Sequence, residues 1–164
     1  MRNKVAYFGV FTALALIFSY VETLIPINFG IPGMKLGLAN LMIVIMLYKG
    51  GVKEAFLLSV VRIVLAGFIF GNLFSILYSL AGGILSLAVM AFLKSRGSFS
   101  VMGVSAAGGI FHNIGQLIIA MLTVSTFNIF YYIPVLMLAG LVTGLLIGFV
   151  SHEVLKRISN IIFR

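Results

Sequence analysis

Apolar residues dominate six stretches of the chain, and short segments rich in charge, glycine or proline separate them. A helix needs about 20 apolar residues, with a range of about 17–25, to cross the hydrocarbon core of a bilayer. The pattern therefore predicts six membrane-spanning helices, of which the second is short. The predicted spans are 5–25, 36–48, 54–71, 73–93, 101–124 and 129–151.

The connections between these stretches are short, with one exception. The segment IPINFGIPGMK at 25–35 holds two of the three prolines, which is typical of an ordered loop or a re-entrant turn. The predicted fold is an all-α integral membrane protein in which residues 1–164 form a single six-helix domain.

The basic residues indicate the orientation of the six spans, because cytoplasmic loops carry an excess of lysine and arginine. With the amino terminus in the cytoplasm, only Lys35 falls on the outer side and only Arg62 falls within a span. Both termini are therefore expected in the cytoplasm of a multi-pass protein of the plasma membrane. The remaining basic residues then lie inside: Arg2, Lys4, Lys49, Lys53, Lys94, Arg96, Lys156, Arg157 and Arg164.

Composition excludes several kinds of chemistry. The chain is 62% hydrophobic and 9% charged, and it contains neither cysteine nor aspartate. A thiolate metal site and a serine–histidine–aspartate triad are therefore impossible, and no phosphate-binding glycine loop occurs. Despite the net charge of +8, the basic residues are spread between apolar runs. We expect no enzyme activity, no cofactor, no metal and no nucleic-acid partner.

Arg62 is the clearest ionisable residue inside a predicted span. It lies nine residues beyond Lys53, which places it near the middle of the bilayer at about 1.5 Å per residue. Charges at that depth usually face a cavity or a partner. Arg62 either ties helices together, through carbonyl groups or by pairing with Glu54 or Glu22, or it forms an anion site.

The fifth span carries three polar side chains within five positions. His112 and Gln116 are one turn apart on the same helical face, and Asn113 points to an adjoining face. These groups either line a binding cavity or form hydrogen bonds between helices, which are worth about 0.6 kcal/mol each on average.

Further polar residues lie in the outer half of the predicted bundle. Together they predict a pocket that opens to the outside, with Arg62 and His112 at its floor and the 25–35 loop as a lid. The candidate substrate-binding residues are Arg62, His112, Asn113, Gln116, Asn40, Lys35, Glu22 and Asn72.

Small residues four positions apart indicate faces where helices approach closely in lipid. Gly140, Gly144 and Gly148 form such a stripe on the last span, and packing within the bundle is the favoured interpretation. Gly9 and Ala13 form a shorter stripe on the first span. That stripe serves either packing or the docking of a partner subunit.

Several segments carry a family resemblance: IPGMKLGLANLMIVIML, RIVLAGFIFGN, SLAGGILSLAVM and AGGIFHNIGQLIIA. Together they resemble the Gx transporter family, also labelled heptaprenyl diphosphate synthase component I. More broadly, six short spans with a long first outer loop resemble the S components of energy-coupling-factor (ECF) transporters. That resemblance implies a T component and two cytoplasmic ATPases as partners, with Gly9 and Ala13 docking the T component.

The expected function is therefore that of a membrane-embedded substrate-binding subunit of an ECF-type importer. Its ligand would be a small micronutrient, anionic or related to quinones or isoprenoids, which is captured from the outer side. Arg62 and Lys35 would favour an anionic or carbonyl-rich ligand. The alternative is a non-transporting membrane accessory subunit of isoprenoid or quinone biosynthesis.

Overall fold

The computed structural model describes residues 2–24, 37–124 and 131–158, and these ranges contain six α-helices. The number of helices agrees with the six apolar stretches of the sequence, and the fifth helix has the predicted bounds. Lys35 and the 25–35 loop lie outside the described residues. The helices are α1 (Arg2–Leu24), α2 (Leu38–Lys49), α3 (Val52–Phe70), α4 (Leu73–Arg96), α5 (Val101–Val124) and α6 (Ile133–Arg157).

Four of the described helices, α1, α4, α5 and α6, are long and apolar enough to cross a membrane. The α2 helix has 12 residues. At about 1.5 Å per residue it is much shorter than a hydrocarbon core of about 30 Å. The α3 helix is longer but contains Lys53, Glu54 and Arg62. A helical membrane protein follows from these features, while six complete spans and the side on which the termini lie stay predictions.

The short α2 helix forms much of the interior of the bundle. It packs against α1, α3 and α6, and every residue from Leu41 to Leu47 is buried. Phe11 of α1, Leu58 of α3 and Val104 of α5 belong to the same buried apolar cluster. Because protein surrounds α2, this helix needs no polar face, which explains its nearly continuous run of apolar residues.

Glycine allows α5 and α6 to pack with their backbones in close approach. A Cβ atom added to Gly140 would lie 2.6 Å from the carbonyl oxygen of Gly109. The same addition at Gly144 or Gly148 would place the Cβ atom 2.7 Å from backbone atoms of α5. The prediction that this stripe packs within the bundle is confirmed.

Lysine side chains join the carboxyl ends of three helices. Lys49 Nζ donates a hydrogen bond to the carbonyl oxygen of Ile158, just after α6, at 3.0 Å. Lys94 Nζ, near the end of α4, donates to the carbonyl oxygen of Leu47 in α2 at 2.5 Å. Cations are favourable at helix carboxyl ends, where carbonyl groups lack partners. We call this end of the bundle the basic end, and the opposite end the distal end.

Candidate functional site

Two adjoining polar cavities lie among the helices. The distal cavity, of about 80 Å³, is bounded by residues of α1, α2, α3, α4 and α5 near the distal end. The inner cavity, of about 40 Å³, extends towards the basic end between α2, α4, α5 and α6. One water needs only about 10–15 Å³ of such space, so the distal cavity can hold several waters or the polar group of a small ligand. Both cavities are lined by Gly37, Asn40, His112 and Gln116.

Arg62 of α3 lies in the wall of the distal cavity. Its Nη2 atom donates a hydrogen bond to Asn40 Oδ1 of α2 at 3.2 Å. Its Nε atom is buried and has no hydrogen-bond partner among the described residues. Leaving a buried charged donor unsatisfied is costly. An oxygen acceptor within the cavity, from water or from a ligand, would satisfy this Nε atom.

Glu22 brings a negative charge to the same cavity from the end of α1. Its Oε1 atom accepts a hydrogen bond of 2.7 Å from the backbone N–H of Leu38, at the first residue of α2. A carboxylate is favourable there because helix amino ends carry a partial positive charge. Glu22 also interacts electrostatically with Arg62. Glu22 therefore links α1 to α2 and partly offsets the charge of the guanidinium.

His112 and Gln116 reach both cavities from α5, where a glycine in α4 makes room for them. A Cβ atom added to Gly82 would lie 2.7 Å from the His112 carbonyl oxygen and 2.8 Å from Gln116 Cγ. Gln116 is buried, with 6% of its surface exposed. The close contact of α4 and α5 therefore holds both polar side chains at the boundary between the two cavities.

Two of the candidate residues form hydrogen bonds that support the fold. Asn113 lines the inner cavity, and its Nδ2 atom donates to the carbonyl oxygen of Leu136 in α6 at 2.7 Å. Asn72 begins α4 as its N-cap, where its Oδ1 atom accepts a 2.8 Å hydrogen bond from the backbone N–H of Ser75. Asn72 lies outside the described lining of both polar cavities. Their predicted roles in ligand binding stay predictions.

Sequence reasoning did not identify the hydroxyl groups around the cavities. Ser75 and Ser79 of α4 line the distal cavity, and Ser86 of the same helix lines the inner cavity. These three residues are spaced at intervals of four and seven, so they share one helical face. This spacing is the signal that could have identified them, and Gly82 falls on the same face.

An apolar groove of about 120 Å³ lies beside the inner cavity, between α2 and α6. Thr143 and Ile147 of α6 line both the groove and the inner cavity. The other residues that line the groove are Leu38, Leu41, Leu146 and Val150.

The described residues contain no group of three histidine, aspartate or glutamate side chains placed to hold a metal ion. The polar cavities instead offer one guanidinium, one carboxylate, one imidazole, and several amides and hydroxyls. The guanidinium, imidazole, amides and hydroxyls can donate hydrogen bonds to an oxygen-rich ligand, whereas the carboxylate accepts them.

The fold and the buried polar cavities define a helical membrane protein with a candidate binding site. The family model described as heptaprenyl diphosphate synthase component I matches residues 11–154, which is most of the chain. The chain therefore belongs to this family, in agreement with the resemblance of its sequence segments. No curated protein and no solved structure matches the chain.

Proposed function

We propose that the protein is the membrane-embedded substrate-capture subunit of an ECF-type importer in the plasma membrane. The observation that carries this proposal is the buried Nε atom of Arg62, which has no hydrogen-bond partner among the described residues and belongs to a side chain lining a polar cavity. The distal cavity lies away from Lys49 and Lys94 at the basic end, so by the positive-inside rule the distal end would face the outer side. A ligand would therefore enter from outside the cell.

The charges around the cavity favour a ligand with one oxyanion or a pair of carbonyl groups. A guanidinium presents its donors in a planar fork that matches a carboxylate or a phosphate. Glu22, however, partly offsets the charge of Arg62. One guanidinium with a carboxylate beside it suits a single carboxylate or phosphate group better than a diphosphate or a larger polyanion. His112 and Gln116 would then orient the ligand from α5.

The first helix offers a surface for a partner subunit. Gly9 and Ala13 are exposed on α1, and a Cβ atom added to Gly9 would meet nothing within 4 Å. Small exposed residues allow another helix to approach closely. We propose that an ECF T component docks here and that two cytoplasmic ATPases supply the energy. The protein itself would not be an enzyme, since it contains no aspartate and few other carboxylates.

Substitution of Arg62 tests the proposed site. Arg62→Ala removes the guanidinium, while Arg62→Lys keeps a positive charge but loses the planar fork. Native mass spectrometry of the wild-type protein in mild detergent should detect a small ligand. We expect Arg62→Ala to lose that ligand and Arg62→Lys to retain part of it, with both variants keeping the circular dichroism spectrum of the wild type. A folded Arg62→Ala protein with full ligand occupancy would refute the proposal.

The alternative function is that of an accessory membrane subunit for prenyl diphosphate synthesis. The family name, which presents its members as one component of a synthase, favours this function. The apolar groove between α2 and α6 also favours it, because a subunit that presents a lipid needs a lateral opening. Affinity purification of the full chain from its native membrane distinguishes the two functions. Recovery of ATPases supports the importer, and recovery of a soluble prenyl synthase supports the accessory subunit.

A further inference from the structure

We propose that the ligand is a single-chain amphiphile whose polar head occupies the polar cavities and whose apolar chain leaves between α2 and α6. This inference rests on the proposed binding function and adds the chemical class of the ligand. Polar cavities alone would suit a small hydrophilic molecule. The apolar groove beside them adds space for a hydrocarbon chain.

The groove and the inner cavity share two residues of α6. Thr143 and Ile147 line both spaces, so these side chains form the boundary between the polar interior and the apolar groove. The Thr143 hydroxyl donates to the carbonyl oxygen of Ala139 at 2.9 Å, so its hydrogen bond is made within its own helix. The boundary therefore places no unsatisfied polar donor in the path of an apolar chain.

The boundary between the apolar groove and the polar cavities is thin where α6 approaches the start of α2. A Cβ atom added to Gly37 would lie 3.2 Å from Ile147 Cδ1. Gly37 lines both polar cavities, so the Ile147 side chain reaches the edge of the polar space. For one ligand to occupy both spaces, the Thr143 and Ile147 side chains between them must move apart. Ile147 and Thr143 would therefore lie where the head of the ligand meets its chain.

The part of the groove formed by Leu146 and Val150 lies on the surface of the bundle. Leu146 is 61% exposed and Val150 is 44% exposed, and both line the groove. In a bilayer these exposed apolar side chains contact lipid. A hydrocarbon chain lying in the groove would contact protein on one side and lipid on the other. The groove would therefore favour hydrocarbon chains whose shape and length fit it. The polar cavities would supply most of the discrimination between head groups.

Two probes with the same head separate the two parts of the site. Methyl phosphate carries a phosphate head without a chain, and decyl phosphate adds an apolar chain of ten carbons. Binding of each would be measured by thermal shift on the whole chain in digitonin, a steroid glycoside detergent that has neither a phosphate nor a single alkyl chain. Adding a phospholipid in a separate arm tests whether a two-chain lipid competes with decyl phosphate. We expect no competition, since the proposed ligand has one chain and a phospholipid has two.

Tryptophan substitutions on α6 test the groove with matched controls. Val150→Trp and Leu146→Trp would fill the groove. Val142→Trp and Leu145→Trp make the same changes at exposed positions outside the groove lining. We expect decyl phosphate to bind at least tenfold more weakly to both groove variants than to their controls. Methyl phosphate should bind all four variants within about twofold, since its binding does not involve the groove.

The outcomes separate this inference from the proposed function. If methyl phosphate binds and the groove variants match their controls with decyl phosphate, the chain does not use the groove and the inference is wrong. If phospholipid displaces decyl phosphate from the wild type, the occupant is a bilayer lipid and the inference is also wrong. If neither probe binds any folded protein, the proposed oxyanion site fails first, and the inference fails with it.

Discussion

The close approach of α5 and α6 predicts opposite effects for the same substitution at two glycines. Gly140→Ala would place a Cβ atom 2.6 Å from the Gly109 carbonyl oxygen and 2.9 Å from the Ile110 nitrogen. Both contacts are with backbone atoms, so no side-chain rotation can relieve them. Gly9→Ala would add the same methyl group to α1 with nothing within 4 Å.

The expected magnitudes follow from these contacts. Overpacking of a tight interior costs about 1–3 kcal/mol, and replacing a helical glycine by alanine gains at most about 1 kcal/mol. Gly140→Ala should therefore lower the free energy of unfolding by up to about 2 kcal/mol in net terms, since the two effects oppose each other. Gly9→Ala should leave that free energy unchanged or raise it by up to about 1 kcal/mol.

Unfolding in mixed micelles with increasing fractions of dodecyl sulfate would measure both free energies. Far-ultraviolet circular dichroism is the suitable signal, because the chain contains no tryptophan. Gly144→Ala serves as a second interface variant, with its Cβ atom 2.7 Å from Ala106 Cα. Equal stability of Gly140→Ala and Gly9→Ala would show that the two helices do not meet through their backbones. The geometry of the inner cavity would then need revision, because Gly109 and Gly144 both line it.

Two further predictions concern the basic end and the first helix. Lys94→Met removes the hydrogen bond to the Leu47 carbonyl oxygen and should lower the free energy of unfolding by about 0.5–1.5 kcal/mol. Lys53→Met is an exposed control at the same end and should change that free energy little. Equal losses in the two variants would contradict a stabilising role for the Lys94 hydrogen bond. Ala13→Leu should reduce the recovery of partner subunits from native membranes by at least half, because the larger side chain blocks close contact between helices. Ligand binding should persist in this variant. Undiminished recovery would place the docking surface elsewhere.

The candidate site was predictable only in part, and individual residues show why. Arg62 and Gln116 stand out in the sequence, because polar side chains within apolar stretches are costly unless they meet a cavity or a partner. That argument identifies the residues but not their neighbours. The hydrogen bond from Arg62 to Asn40 crosses from α3 to α2, and only packing brings those positions together. Asn113 is a similar case, since its partner is a backbone carbonyl of α6.

The sequence by itself determined the number of helices, their approximate bounds, the glycine face of α6 and the family of the chain. These features depend on hydropathy and residue size along one helix, which are local properties. Only the tertiary structure decided that the shortest helix lies in the interior and that the cavities meet at Asn40, His112 and Gln116. It also decided that an apolar groove adjoins them. These features depend on which helix faces meet, and that is set by packing between segments far apart in the chain.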